Sequence, residues 1–436
     1  MARKTRPFEA VVRTMGTIIR SLANFPSLLG RSSLLILGLS FTACSDSSVG
    51  PGVGGAAMGR IYAGNGFTCG IVEGGRGLCW GLNDRGQVGG PRIATFGEVP
   101  EVISEDLRFR ELSTKAAGRH VCGLTTTGDA YCWGENRFGQ LGDGTTDFQM
   151  GPQLVLGGLT FTSIAAGWRF SCGITIDEAA HCWGRGEWGQ LGDGLATLSS
   201  VPTEVSGGHK FRQLDVGSNN LVCGVTTAGS LLCWGLDLNG ALGAPSSYSC
   251  IRNDGLQLPC SKIPQQIASD ERFIEVSAGS SFACGVTLSL QALCWGRNDQ
   301  GQLGNPGTET CTQGAFSGNA CAATPVPVSG RLKFVTVAAG LRHTCGVTIK
   351  GDAYCWGRNT IGELGSGVVG TNSNVPALVR GGVSFRRVTA GDRHSCGEGT
   401  DGQLYCWGSN RFGQLGTGDT HLWLEPALVV TGFRGP

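Results

Sequence analysis

The tripeptide Cys-Trp-Gly occurs seven times, at Cys79, Cys132, Cys182, Cys233, Cys294, Cys355 and Cys406, spaced 53, 50, 51, 61, 61 and 51 residues apart. Ten residues before each of these cysteines stands another, always followed by glycine: Cys69, Cys122, Cys172, Cys223, Cys284, Cys345 and Cys396. A fixed period of this length marks one supersecondary unit stacked on its neighbours, and it overrides any domain count taken from chain length. The spacing of ten has a direct physical reading. In Cys122-Gly-Leu-Thr-Thr-Thr-Gly128-Asp-Ala-Tyr-Cys132 two short strands flank a glycine-containing turn near Thr127, so the cysteines are equidistant from the turn and face each other. Facing residues of antiparallel strands lie within disulfide reach.

The expected pairs are therefore Cys69–Cys79, Cys122–Cys132, Cys172–Cys182, Cys223–Cys233, Cys284–Cys294, Cys345–Cys355 and Cys396–Cys406. Two further pairs at the same spacing, Cys250–Cys260 and Cys311–Cys321, sit inside the two 61-residue intervals. Cys44 is the nineteenth cysteine and stands alone. Zinc sites favour pairs two to four residues apart, and there is no companion His pairing, so a metal is not expected. A paired set of this kind belongs to an oxidising compartment.

The rest of the unit is equally regular. Each Cys-Trp-Gly is followed by Gly-Gln-Leu-Gly or a close variant, such as Gly139 to Gly142 and Gly413 to Gly416. Each first cysteine is preceded by a strand ending in Ala-Gly or similar, such as Phe334 to Gly340. A Pro-x-x-Val element lies further upstream, at Pro202, Pro325 and Pro376. Four short β stretches per unit make one propeller blade. The expected fold is all-β: a single seven-bladed β-propeller over 59–436, with four strands per blade. The first unit lacks a preceding Pro-x-x-Val strand, whereas the last ends with an extra one, Pro426 to Val430. The C-terminal strand is thus expected to complete the first blade and close the ring.

Residues 1–43 read as a signal peptide: basic residues up to Arg31, then an apolar run from Leu34 to Ala43. The run is too short to span a bilayer. Phe41-Thr42-Ala43-Cys44 resembles the lipobox of bacterial lipoproteins, which implies lipidation of Cys44. Phe41 departs from the leucine usual in that box, Met15 is an alternative start, and an ordinary signal peptide is the competing reading. Residues 44–58, rich in Gly and Ser, read as a flexible tether.

The repeat resembles that of the regulator of chromosome condensation family, whose hallmark Trp-Gly-x-Asn followed by Gly-Gln-Leu-Gly is matched best by Trp133 to Gly142 and Trp407 to Gly416. The resemblance implies a ring of seven repeats and a structural role for His120, His343 and His394, each two residues before a first cysteine. The cysteine pairs depart from the nuclear pattern and are similar to exported bacterial variants. The nuclear founder exchanges guanine nucleotide on a GTPase, while secreted bacterial relatives grip β-lactamases across the propeller face.

No Gly-x-Ser-x-Gly, HExxH, P-loop or EF-hand pattern is present, the arginines read as scattered, and neither an enzyme nor a cofactor is expected. The seven repeat tryptophans read as packing between blades rather than a sugar-binding ring, with Trp168, Trp188 and Trp423 exposed outside the pattern. Asp143 and Asp193 read as turn caps. A formal charge of +1 with only 15% charged residues argues against nucleic acid. What repeats seven times is scaffold, so a partner is sought where the repeat breaks: in the inserts Ala244 to Lys262 and Asn305 to Thr324, with Tyr248, Ile251, Arg252, Leu256 and Phe316 as candidate contacts. Neutral insertions are the competing reading. The expected function is a non-enzymatic, monomeric, protein-binding propeller held at the bacterial envelope by a lipid anchor. The alternatives are a carbohydrate- or wall-binding module or a cryptic hydrolase, with nucleotide exchange ranked behind them.

Overall fold

The computed structural model describes residues 58–90, 96–246, 248–252, 254–307, 309–311, 318 and 320–430; the leader, Cys44, the tether and Phe316 lie outside the described residues. Seven antiparallel sheets are arranged as the blades of a propeller, five of four strands and two of five. The inner strands are Met58–Ala63, Phe109–Ser113, Phe161–Ala166, Phe211–Val216, Phe273–Ala278, Phe334–Ala339 and Phe385–Ala390. In the last six the opening phenylalanine is buried. Its ring tilts against the repeat tryptophan of the same blade in five of them, as in Phe109–Trp133 at 6.0 Å and Phe334–Trp356 at 5.6 Å.

The second and third strands form the stapled hairpin. Cys122 sits opposite Cys132, and the same register holds in every blade. The seven disulfides have Cα–Cα separations of 4.0 to 4.1 Å. The insert bonds Cys250–Cys260 and Cys311–Cys321 span 5.8 and 5.7 Å. They are diagonal: Cys260 faces Tyr248 and Cys321 faces Glu309. Replacing Cys122 and Cys132 by serine should cost about 2 to 3 kcal/mol in denaturant unfolding, the chain-entropy value for an eleven-residue loop. An unchanged midpoint would show the turn alone holds the hairpin.

The fourth strands correct the expected closure. They are Phe96–Val102, Gln149–Leu154, Ser199–Glu204, Gln257–Gln266, Ala320–Pro327, Ser373–Leu378 and Trp423–Leu428. Each pairs with the third strand of its own unit, so Trp423–Leu428 is the outer strand of blade 7 and does not complete blade 1. The Pro-x-x-Val element follows Cys-Trp-Gly rather than preceding the next unit. Blade 1 carries its own copy with isoleucine in the last place, Pro100 to Ile103. All seven prolines, from Pro100 to Pro426, stand two residues before the residue that faces the one preceding the third-strand cysteine. Proline at a fixed place on the fourth strand, where no further strand pairs with it, removes a donor and blunts edge-to-edge pairing.

Closure comes instead from a joint repeated around the whole ring. Each repeat tryptophan donates its indole N–H to a carbonyl in the Gly-Gln-Leu-Gly loop of the preceding blade, at 2.9 to 3.1 Å. Trp80 of blade 1 does this to Gln414 of blade 7. The last glycine of each loop has positive φ, and a Cβ there would come within 2.7 to 2.9 Å of the indole nitrogen. At Gly416 only glycine meets both demands. Ile61, Leu78 and Trp80 share a buried cluster with Leu404, Leu415 and Val429, sealing the first blade to the last. Removing residues 424–436 deletes Val429 from this seam and the buried Ala427 from the outer strand of blade 7, so the melting temperature should fall sharply, although closure itself resides in Trp80.

Three histidines extend the joint. The Ser171 hydroxyl donates to the Gln140 carbonyl at 2.9 Å, so its 2.8 Å contact with His120 makes the imidazole the donor, from Nε2. His343 with Ser395 and His394 with Thr68 repeat this arrangement. Burial pushes all three down to about 3, and they are neutral in the fold. Their role is structural, as the family resemblance implies.

Candidate protein-binding face

Each inner strand runs toward one end of the ring, turns, and enters the hairpin; the loop after Cys-Trp-Gly emerges at that same end. A backbone bond ties the two loops in every blade, for example Arg185 N to the Arg169 carbonyl at 2.9 Å and Glu135 N to the Arg119 carbonyl at 2.9 Å. Residues at either position therefore share one face. The place three residues before the first cysteine holds Arg119, Arg169, Arg342 and Arg393. The companion loops hold Arg85, Arg137, Arg185, Arg297, Arg358 and Arg411. The arginines that read as scattered form an arc over six blades, broken only at blade 4, where Asn220 and Leu236 stand instead. Sequence reasoning missed this because the signal lies in the repeat register and not in any local motif.

The arc divides evenly, five arginines over blades 1 to 3 and five over blades 5 to 7, and in the second group Arg297, Arg358 and Arg393 are ion-paired. Arg85, Arg119, Arg137 and Arg169 line a cavity of about 590 Å³ together with Trp168 and Glu135. The Arg169 guanidinium lies 4.5 Å from the Trp168 ring centre and 5.0 Å from that of Phe138; Arg185 lies 5.4 Å from Phe138. Arg119 pairs with Asp84 at 3.0 Å and Arg185 with Glu187 at 2.6 Å. Arg85, Arg137 and Arg169 have no ion pair among the described residues. Burial holds the Arg169 guanidinium below its usual range, with the charges of Arg185, Arg137 and Arg119 acting in the same direction against Glu135.

A family model described as the regulator of chromosome condensation (RCC1) repeat matches residues 127–174, 177–223, 228–286, 291–347, 350–397 and 401–435. The chain belongs to this family. It is 34% identical over 157 residues to the ultraviolet-B receptor UVR8 of Arabidopsis thaliana, covering 36% of this chain and 33% of the receptor. It is 30% identical over 361 residues to the human E3 ubiquitin-protein ligase HERC2, covering 80% of this chain and 6% of the ligase. The chain thus spans a third or less of these relatives. Among solved structures it is similar to Prp20p of Saccharomyces cerevisiae, characterised for its binding to Gsp1p and histones, with a TM-score of 0.66, 20% identity, and 77% and 80% of the two chains covered. Human WBSCR16 superimposes with a TM-score of 0.68 at 19% identity over 81% and 94%. These structural likenesses concern the fold.

The RCC1 repeats bring the two inserts to the same face, each seated over the loop of the preceding blade. In blade 4, Tyr248–Ile251 pairs with Gln257–Gln266. Cys250, Leu258 and Cys260 cover Trp188 of blade 3, which is buried at 3% exposure. The expectation that Trp188 is exposed is corrected: its cover comes from the neighbouring blade. Trp423 is exposed and Trp168 half-buried. Tyr248, Ile251 and Leu256 are exposed at 55%, 64% and 40%. Arg252 lies 5.8 Å from the Trp188 ring centre and pairs with Asp254. In blade 5, Glu309 to Cys311 and Cys321 to Thr324 meet Asp237, Ala244 and Pro245 of blade 4 around a cavity of about 210 Å³. The inserts adjoin as expected, and the arginines they stand beside were not foreseen. Asp143 and Asp193 cap the backbone N–H groups of Thr145 and Leu195.

The channel is lined by inner-strand side chains that cap the neighbouring blade. Inner strands leave N–H groups unpaired on their free edge, and these are met from the preceding blade: Gln213 accepts from Val276 N, Asp215 from Ala278 N, Ser113 from Ala166 N and Thr389 from Ala63 N. Lys115 reaches past blade 3 to Asp215 at 2.6 Å. At the other end of the channel Glu275, with Arg60, Gln213, Thr336 and Arg387, lines a cavity of about 620 Å³. Burial pushes Glu275 up to about 7 against hydrogen bonds from Thr336 and Val337. These carboxyls are engaged in holding blades together, a structural use of buried acids.

Proposed function

We propose that this RCC1 propeller is a non-enzymatic protein-binding module, exported to the bacterial envelope and held there through a lipid on Cys44. The arginine arc with its half-buried Trp168 carries the reading. Unpaired arginines beside aromatic rings, displayed on rigid loops, are the composition of a recognition surface. The nine disulfides support an oxidising compartment. The exposed insert residues Tyr248, Ile251 and Leu256 extend the same face and supply apolar contact. Prp20p, a relative in fold, binds proteins, which supports the class of activity without naming a partner here.

Affinity capture from envelope extract tests the reading. The wild-type propeller should retain a protein that the Arg137→Glu/Arg169→Glu variant does not. Deleting the hairpin 248–260 should weaken capture by a smaller factor. Capture unchanged by the double variant, or binding to a glycan array in place of protein, would reject it. Palmitate labelling lost in Cys44→Ser tests the anchor.

A further inference from the structure

We propose that the mouth ringed by Arg85, Arg119, Arg137 and Arg169, with Arg185 buried beside it, takes an acidic polypeptide segment, carboxylates against the guanidinium groups and the chain laid over Trp168. The inference rests on the reading of this face as protein-binding and names the chemistry of the partner.

Four observations carry it. First, the sector holds five arginines against three carboxylates, Asp84, Glu135 and Glu187, of which Asp84 and Glu187 are already paired. Second, Arg169 Nε is buried without a hydrogen-bond partner among the described residues, so one donor of the cluster is left unsatisfied. Third, Arg169 stands at φ 67°, the left-handed region that a long side chain adopts at a cost. Blade 1 places Gly66 at the equivalent position with φ 73°. Glycine satisfies that turn, so the fold does not need arginine there. Fourth, the rings of Trp168 and Phe138 hold Arg169 and Arg185 in place, which lowers the entropy lost when the guanidinium groups meet a ligand. A strained, desolvated cation among like charges opposes stability and suits an anion. Carboxylates of an extended chain match forked guanidinium donors in sequence around an arc.

The probe is a fluorescent peptide of alternating Glu and Ser, titrated by anisotropy into the intact propeller, with the Gln-Ser peptide, heparin and inorganic phosphate as comparisons. The Glu-Ser peptide should bind with salt-dependent affinity and the Gln-Ser peptide should not. Arg137→Glu/Arg169→Glu should weaken binding about 100-fold, the loss of two charge-assisted contacts. Lys210→Glu/Lys333→Glu, on the opposite face, should leave it unchanged. Arg169→Gly should weaken binding while the melting temperature holds or rises, which separates recognition from folding. Equal binding of the Gln-Ser peptide, or preference for heparin or phosphate, would overturn the proposal. Loss of peptide binding with arginine-dependent capture intact overturns this inference alone, whereas loss of both overturns the reading of the face as well.

Discussion

Replacing Trp80 with alanine should lower the unfolding free energy by about 3 to 5 kcal/mol, among the largest effects available to a single substitution here. The side chain is fully buried at the seam between the last blade and the first, and its indole N–H is a donor to the Gln414 carbonyl. Truncation opens a cavity against Leu415 and Val429 and removes a buried hydrogen bond at the same time. Trp80→Phe keeps most of the volume and should cost about 1 to 2 kcal/mol, the bond alone. Denaturant unfolding of both variants separates packing from hydrogen bonding. Alanine and phenylalanine costing the same would show that the indole N–H, and not the ring, holds the joint.

Acidification should destabilise the ring by about 3 kcal/mol between pH 7 and pH 5. His120, His343 and His394 have folded values near 3, well below their ordinary 6.5, so the unfolded chain binds more protons between those limits. Stability is therefore present near neutrality and is lost as the pH falls through 6.5 toward 3. Each histidine contributes a loss of about 2 kcal/mol at pH 5. Glu275 works the other way: raised to about 7, its folded form takes up protons first and offsets about 2 kcal/mol over the same range. Glu111 and Glu398, also raised by burial, act in the same direction as Glu275. Three histidines outweigh them. Phe170 and Phe282 fill the equivalent place in other blades, so replacing all three histidines by phenylalanine should flatten the profile. A wild-type protein whose stability is level or rises on acidification would contradict the neutral assignment.

Much of the fold was readable because its chemistry repeats. The cysteine spacing sets the hairpin register, and the repetition of tryptophan at one place in every unit points to packing between blades. Two errors share a cause, which is that a closed repeat has no marked beginning. Pro426 to Val430 looked like a surplus strand because the first copy, Pro100 to Ile103, ends in isoleucine and was passed over. Trp188 looked exposed because the hairpin that covers it belongs to the following blade. The arginine arc was missed for a related reason. Arg119 and Arg137 are eighteen residues apart in the chain, and only the bond from Glu135 N to the Arg119 carbonyl shows that their loops are neighbours. Positions that vary within a regular repeat become visible when the copies are laid on a common register.

Hydrogen–deuterium exchange on the propeller, free and with a protein that it captures, tests the account most directly. Protection is predicted in the loops at 117–119, 135–138, 167–169 and 185–188, with a smaller effect over 248–252. Protection confined to the hairpin turns on the opposite face, at 125–129, 175–179 and 226–230, would contradict it.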